Sequence, residues 1–350
     1  MENAWRHAPE LVTSHKTVVT LSTRPATLSD IAQIVELSMV DAQRRRALNP
    51  TLWRVAANAR EAVESATRAG LQRQNPAARQ FWLLAEASGR SVGLAHAVVV
   101  PVPPIYNPPT GSPGLLLDDC MTTEDAPSGT AEALLLATEA AIRDAGAPPL
   151  LASCPSDGRW RSLLQRHGYK PVTSYMAKTG FEGRGLRHAV RPARPKDVPG
   201  IVAASAAHRQ TLAQLNSRFW NIHPDADARF DRWMRHSLTL TDRDMFVSGA
   251  PDALHGYIIA QPIAPLLIPS AHDINAIGVI DDFYDSDFAD AGQLANVGSA
   301  AMDLLAAAES AFARRDVDTA LVVCPAAWDS KISILEQNGY QTAKLWMFKG

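Results

Sequence analysis

The hydrophobic pattern alternates between short apolar runs and longer helical stretches. Phe81–Ala87 and Val92–Val100 are apolar and of strand length, as are Met245–Ser248 and Leu254–Ala260 later in the chain. Between the two sets, Leu115-Leu116-Leu117 ends in two carboxylates, Asp118 and Asp119. A polar loop then leads through Ser128-Gly129-Thr130-Ala131 into a helical pattern of Ala133, Leu134, Ala137, Ala140 and Ala141. This stretch predicts strand, loop and helix, with small residues at the helix start. Such a start leaves backbone N–H groups facing outward, which suits an anion such as a pyrophosphate. Small residues also cap ordinary helices, so the stretch alone does not decide.

The same pattern returns, and that changes its weight. Arg24-Pro25-Ala26 with Asp30 and Ile34 reappears as Arg191-Pro192-Ala193 with Asp197 and Ile201. Leu48-Asn49 and Trp53 reappear as Leu215-Asn216 and Trp220, and Asp118-Asp119 as Asp281-Asp282 after Ile277–Ile280. Gly129-Thr130-Ala131 is matched by Gly298-Ser299-Ala300, again opening a helix. Strands ending at Cys154-Pro155 and Cys324-Pro325 follow, then short helices (Trp160–Gln165 and Lys331–Glu336). Each copy closes on Gly-Tyr with a later Met and Lys: Gly168-Tyr169, Met176 and Lys178, then Gly339-Tyr340, Met347 and Lys349. The expected organisation is an N-terminal extension (1–22), a first domain (23–180), a glycine-rich linker (181–187) and a second domain (188–350). Each domain is expected to be mixed α/β, a central mixed sheet flanked by helices.

Composition narrows the partners. The chain has 350 residues and a formal net charge of −2, which points to neither nucleic acid nor an anionic membrane. Arg44-Arg45-Arg46 is expected to be a solvated helix face. No apolar run approaches membrane-spanning length, and the first twenty residues contain no signal-type apolar core. Three cysteines without CxxC spacing argue against a disulfide framework or a zinc site, and the ten histidines show no metal spacing. A cytoplasmic protein without a metal is expected.

Taken together, each half resembles a GCN5-related N-acetyltransferase (GNAT) domain. The resemblance rests on Arg24–Asp30 and Arg191–Asp197, on Ala126–Ala131 and Ala295–Ala300, and on Gly168-Tyr169 and Gly339-Tyr340. It covers nearly the whole chain and implies a tandem acyltransferase using acetyl-CoA as donor and a small-molecule amine as acceptor. It also implies that Met121, Ser128, Gly129, Thr130 and Ala131, and in the second half Gly298, Ser299 and Ala300, hold the cofactor. The region after the first helix lines the acceptor pocket in that family, which makes Asn49, Trp53, Asn216 and Trp220 substrate candidates; as large apolar residues the tryptophans fit a core equally well. The amine must lose a proton. Strand alternation puts Asp118 and Asp119 on opposite faces, and Asp119, with Asp282 by the repeat, is taken as the catalytic carboxylate. His96 and His255 are distant alternatives, and Cys120 is the one thiol singled out for reactivity.

Departures from the family pattern are specific. Ala126 and Ala295 stand where Gln or Arg is usual, and Leu164 and Leu335 where a tyrosine often protonates the leaving thiolate. The loop from Asp282 to Gly298 is long and acidic, with Asp285, Asp287 and Asp290, and should repel a pyrophosphate unless those side chains turn away. The first half is therefore expected to be the better binder. The alternative to an enzyme is a non-catalytic tandem scaffold.

Overall fold

The computed structural model describes residues 20–72, 79–109, 111–148, 150–156, 158–181 and 190–350. The expected N-terminal extension up to residue 19 and residues 182–187 of the expected linker lie outside them. The first half contains β1 (Leu21–Pro25), α1 (Ile31–Leu48), α2 (Ala59–Gln72), β2 (Gln80–Ala87) and β3 (Arg90–Val99). It continues with β4 (Gly114–Leu116), β5 (Met121–Thr122), α3 (Thr130–Asp144), β6 (Leu150–Pro155), α4 (Arg159–Arg166) and β7 (Lys170–Thr179). The second half repeats the order: β8 (Val190–Pro192), α5 (Val198–Leu215), α6 (Ala226–Ser237), β9 (Asp244–Ala250) and β10 (Ala253–Pro262). Then come β11 (Ile277–Ile280), β12 (Phe283–Asp285), α7 (Ser299–Ala313), β13 (Thr319–Pro325), α8 (Asp329–Gln337) and β14 (Gln341–Lys349).

Each half starts with the same device. The Asp30 carboxylate accepts the Thr27 N–H at 2.7 Å and both terminal nitrogens of Arg24 at 2.8 Å. Asp197 does the same with the Arg194 N–H and Arg191. The carboxylate thereby satisfies an N–H at the helix entry and pins the first strand to it.

The strands form one sheet in the order β1-β2-β3-β4-β6-β14-β7-β13-β11-β10-β9-β8. Its centre is crossed. β14, from the end of the chain, pairs with β6 of the first half, while β7 of the first half pairs with β13 of the second. The two last strands also pair with each other. Leu345 and Met347 are consequently buried in the first half's core, and Val172 and Met176 in the second half's. Each such side chain contributes roughly 1.5–3 kcal/mol on burial.

The exchanged strands end in crossed ion pairs. Lys349 of β14 reaches Glu139 of α3 at 2.8 Å, and Lys178 of β7 reaches Glu309 of α7 at 2.8 Å. Each glutamate also accepts a tyrosine hydroxyl from its own half, Tyr169 at 2.9 Å and Tyr340 at 3.1 Å. The Gly-Tyr and Lys positions of the repeat are therefore two arms of one contact, made across the halves.

Loops cross as well. The segment after β10 bridges back to the first half through Val55 and His272, with Ala56 N–H donating to Ala271 O at 3.0 Å and Asp273 N–H to Arg54 O at 2.8 Å. The proline-rich segment after β3 does the same in reverse: Tyr106 bridges Ile222, and Asn107 N–H donates to Asn221 O at 2.8 Å. Among the described residues no helix is long and apolar enough to cross a membrane. Nor, among the same residues, do any three His, Cys, Asp or Glu side chains stand together as a metal site.

Two expected outcomes follow from the seam. Lys178→Met and Lys349→Met each take the crossed lysine from a buried carboxylate, and should lower unfolding free energy by roughly 2–3 kcal/mol. Urea denaturation of the two variants checks this, and an unchanged midpoint in both would remove the crossed pairs as a clamp. The second outcome concerns pH. His272 is buried, and desolvation together with the Arg45 charge pushes its pKa down to about 4 from 6.5. Between those values the unfolded chain binds a proton that the folded chain does not, so stability falls as pH drops from 6.5 to 4, by up to about 3 kcal/mol from this group. Urea midpoints at pH 7 and pH 4.5 should differ less in His272→Gln than in the parent chain.

Candidate functional site

The first half's sheet splits where the two aspartates stand. β4 pairs in parallel with β6 through Leu116, whereas β5 pairs with β3 and no longer with β6. At the split the His96 N–H goes to the Cys120 sulfur at 3.3 Å in place of a carbonyl. Beyond it a cleft of about 350 Å³ opens, lined by Met121, Thr122, Ala131, Pro155, Gly158 and Arg159. The start of α3 borders this cleft. Gly129 is its N-cap with φ +88°, and a Cβ there would meet nothing within 4 Å, so backbone conformation and not crowding calls for glycine. Thr130 is buried, and its amide and hydroxyl both go to Pro127 O, at 3.2 and 2.7 Å. The amides of Ala131 and Glu132 lack an intrahelical acceptor by position. Ser128 and Gly129 are exposed beside them.

The two aspartates part company. Asp118 is buried, 3.3 Å from Lys344 and 3.6 Å from Arg45, and the Arg45 guanidinium also donates to its backbone carbonyl. Lys344 comes from the exchanged β14, so the second half supplies the counter-charge. Asp119 turns the other way and meets His96: Oδ2 lies 2.8 Å from Nδ1. The His96 ring stacks on Trp82 with centroids 3.6 Å apart and 16° between planes, and Nε2 is 3.2 Å from Gln80 Oε1. This pair borders a second cavity of about 420 Å³, lined by Gln80, Trp82, His96 and Asp119 and, from the other half, Leu266 and Ile268. A histidine held at Nδ1 by a carboxylate, on the wall of a cavity, is an arrangement suited to general base chemistry at Nε2.

The second half has the same frame with different contents. Asp282 accepts the Tyr257 hydroxyl at 2.6 Å. The nearest imidazole, His208, is 4.0 Å away, and its pKa is driven well below the ordinary value by burial and by Lys331 and Arg209. The acidic loop turns inward. Asp287 is buried and its Oδ2 accepts the Ala300 N–H at 3.2 Å, while Oδ1 takes the Asn296 amide at 3.0 Å. A protein carboxylate thus sits on the α7 start, where Gly298, Ser299 and Ala300 were expected to receive a phosphate. Asp285, also buried, is held by the Ser248 hydroxyl and the Asp287 N–H. Where the first half has Gly158, the second has Trp328, fully buried, with its indole N–H on Phe288 O at 2.8 Å. Lys331 Nζ donates to Phe283 O at 2.8 Å and lies over the rings of Phe283, Phe288 and Trp328.

Several expectations need correction. Arg45 is not on a solvated face: it is buried, paired with Asp41 at 2.6 Å and facing Asp118. Cys120 is not a reactive thiol, because burial and the Asp119 charge push its pKa well above the usual value. Its sulfur patches the ladder at the split. Asn49 is engaged in a turn, its side-chain oxygen accepting Leu52 N–H at 2.9 Å, and Asn216 similarly accepts Phe219 N–H at 3.1 Å. Trp53 is buried under the Arg45 guanidinium and against His272, and Trp220 is in the second half's core. Asn49 and Trp53 line a separate cavity of about 360 Å³ and Trp220 one of about 320 Å³ at the seam, but none of these four lines the cavity beside His96. His255, the other histidine considered, is exposed on β10.

His96 is not promoted by the sequence because its partner depends on the β3–β4 register: it stands opposite Leu117, two residues before Asp119.

Solved structures with this architecture are GCN5-related N-acetyltransferases. One from Sphaerobacter thermophilus matches with a TM-score of 0.51 at 16% identity, over 94% of this chain and 95% of that one. A glucosamine N-acetyltransferase region of a fungal multi-domain β-N-acetylglucosaminidase matches with a TM-score of 0.50 at 13% identity, over 94% of this chain and 38% of that one. A tandem GNAT protein from the clavulanic acid biosynthesis pathway aligns over 94% of this chain and 97% of that one, at 14% identity and a TM-score of 0.46. No family model and no curated protein matches the sequence. The chain has the GCN5-related N-acetyltransferase fold, with the element order present twice.

Proposed function

We propose that the chain is an acyl-CoA-dependent N-acyltransferase, with acetyl-CoA as donor and a small-molecule amine as acceptor, working through the first half alone. The observation that carries this reading is the His96–Asp119 pair at the strand split, with the 350 Å³ cleft on one side and the 420 Å³ cavity on the other. In this reading the pyrophosphate rests on the Ala131 and Glu132 amides over Gly129, where the helix start favours negative charge. Arg159, exposed on the cleft wall, supplies the cation that Ala126 does not. The acyl arm follows Met121–Thr122 to the split. The acceptor amine enters beside Gln80 and Trp82 and displaces the Gln80 contact at His96 Nε2.

The chemistry then divides simply. His96 Nε2 takes the amine proton as nitrogen attacks the thioester carbon, and Asp119 holds the imidazole by Nδ1 and stabilises the charge it gains. The tetrahedral oxyanion collapses, the C–S bond breaks, and the thiolate leaves as CoA after taking up a proton. Leu164 cannot protonate it, so the imidazolium of His96 or solvent returns that proton. The second half is a support. Asp287 occupies its phosphate position, Trp328 and Phe288 fill its cleft, and its Lys344 and Leu266 help to build the first half's site.

Two measurements test this. Calorimetric titration with acetyl-CoA should give one site per chain, lost in Gly129→Val, which places a side chain over the α3 start and strains a left-handed backbone. Two sites would sink the assignment of the second half as a support, and normal binding by the variant would remove the pyrophosphate from α3. Separately, His96→Gln should cut kcat on a responsive amine by about 10²–10⁴-fold with acetyl-CoA affinity unchanged. A variant with full kcat would show that the base lies elsewhere.

A further inference from the structure

A third cavity, of about 320 Å³, lies at the seam of the two halves, and the acyl transfer proposed above does not use it. It shares no lining residue with the acyl-CoA cleft and meets the cavity beside His96 only at Leu266. Both exchanged strands line it. Tyr175 of β7 and Trp346 of β14, whose rings are 5.5 Å apart, face it together with Phe219 and Trp220 of the second half and the proline-rich segment of the first. Neither half alone would enclose it.

Its chemistry is one-sided. The wall is almost wholly aliphatic and aromatic, the composition of small-molecule pockets, whose volumes run from roughly 300 to 1,000 Å³. Among the described lining residues there is no carboxylate, and the single charged group is Arg218. Arg218 is exposed at the cavity and forms no ion pair with a described residue, although the described surface elsewhere is rich in Arg–carboxylate pairs. Tyr175 is only 3% exposed, and no described residue accepts from its hydroxyl. Desolvation, with Asp281 and Asp118 nearby, pushes that hydroxyl's pKa well above the usual value, so it stays a neutral donor. The cavity therefore offers an apolar volume, an unused donor and an uncompensated guanidinium, with no carboxylate among its described lining residues. A guanidinium fork is matched by a carboxylate.

We propose that the seam cavity binds a small apolar or aromatic monocarboxylate, its body against Phe219, Trp220 and Trp346 and its carboxylate on Arg218. Such a ligand would rest on both exchanged strands and so on the element that joins the halves. It is a site for a molecule distinct from the acyl donor, and its occupancy does not depend on acyl transfer.

The test uses the full chain and calorimetric titration with 3-phenylpropanoate, its amide and the corresponding amine. The carboxylate should bind saturably at one site per chain, the amide and the amine at least tenfold more weakly. Arg218→Ala, an exposed substitution, should weaken carboxylate binding at least tenfold, and Val102→Trp, which fills the cavity from the loop side, should abolish it. The proposal is overturned by a chain that binds none of the three, by equal affinity for carboxylate and amide, or by unchanged carboxylate affinity in Arg218→Ala. Carboxylate binding in a chain that ignores acetyl-CoA would leave this site standing while removing the acyltransferase reading.

Discussion

The structure depends on the exchange of β7 and β14 at the centre of the sheet. A strand in that position is paired on both edges and buries side chains in the opposite half, so it cannot be left out without exposing two ladders and a core. Met176 and Met347 are both fully buried in the half opposite to their own. The Lys178–Glu309 and Lys349–Glu139 pairs then fix the register of the exchange, since a slip of one residue would turn each lysine to the other face of its strand. The repeat in the sequence marks two copies of one element order, and the exchanged strands join them by burial.

This constraint explains how the two sites came to differ in content on a common frame. An open cleft costs packing, so a half that binds nothing there gains stability by filling it. The second half fills its own with Trp328, Phe288 and the Lys331 side chain, and closes the α7 start with Asp287, which converts a place for a ligand into additional core. The first half keeps the opposite choices at the corresponding points: Gly158 in place of Trp328, and Arg159 in place of Asp329. The electrostatics change sign with them.

Much of this was legible in the chain. The doubled order of Arg-Pro-Ala, paired aspartates, glycine-led helix, Cys-Pro and Gly-Tyr set out the element order, because each is tied to a local rule: a helix entry, a strand end, a left-handed cap. Asp118 and Asp119 do go to different partners, but in a turn between β4 and β5 and not, as expected, by strand alternation. What could not be read were the long-range partners. Arg45 looked like a surface residue because a run of three arginines usually is one; its burial depends on Asp118 and on Lys344, which comes from the far end of the chain. Cys120 looked reactive beside two carboxylates, yet burial raises a thiol's pKa and those charges add to the effect. His96 was undervalued for lack of a strand register. The crossing of the last strands has no local signature at all.

The same crossing ties the proposed chemistry to the second half's presence. Asp118 and Asp119 stand side by side in the turn between β4 and β5, and their side chains go to different partners. On one side His96 and Gln80 belong to the first half. On the other, Asp118 is buried, where an unpaired carboxylate would be expensive, and one of its two cations is Lys344 of the exchanged strand. Burial lowers the pKa of Lys344 and the Asp118 charge opposes that shift. The backbone at Asp118 is thereby held, and with it the direction of the next residue. Asp119 can aim at His96 because Asp118 is anchored from across the seam. A half whose own cleft is filled still positions the proposed His96–Asp119 pair of its neighbour.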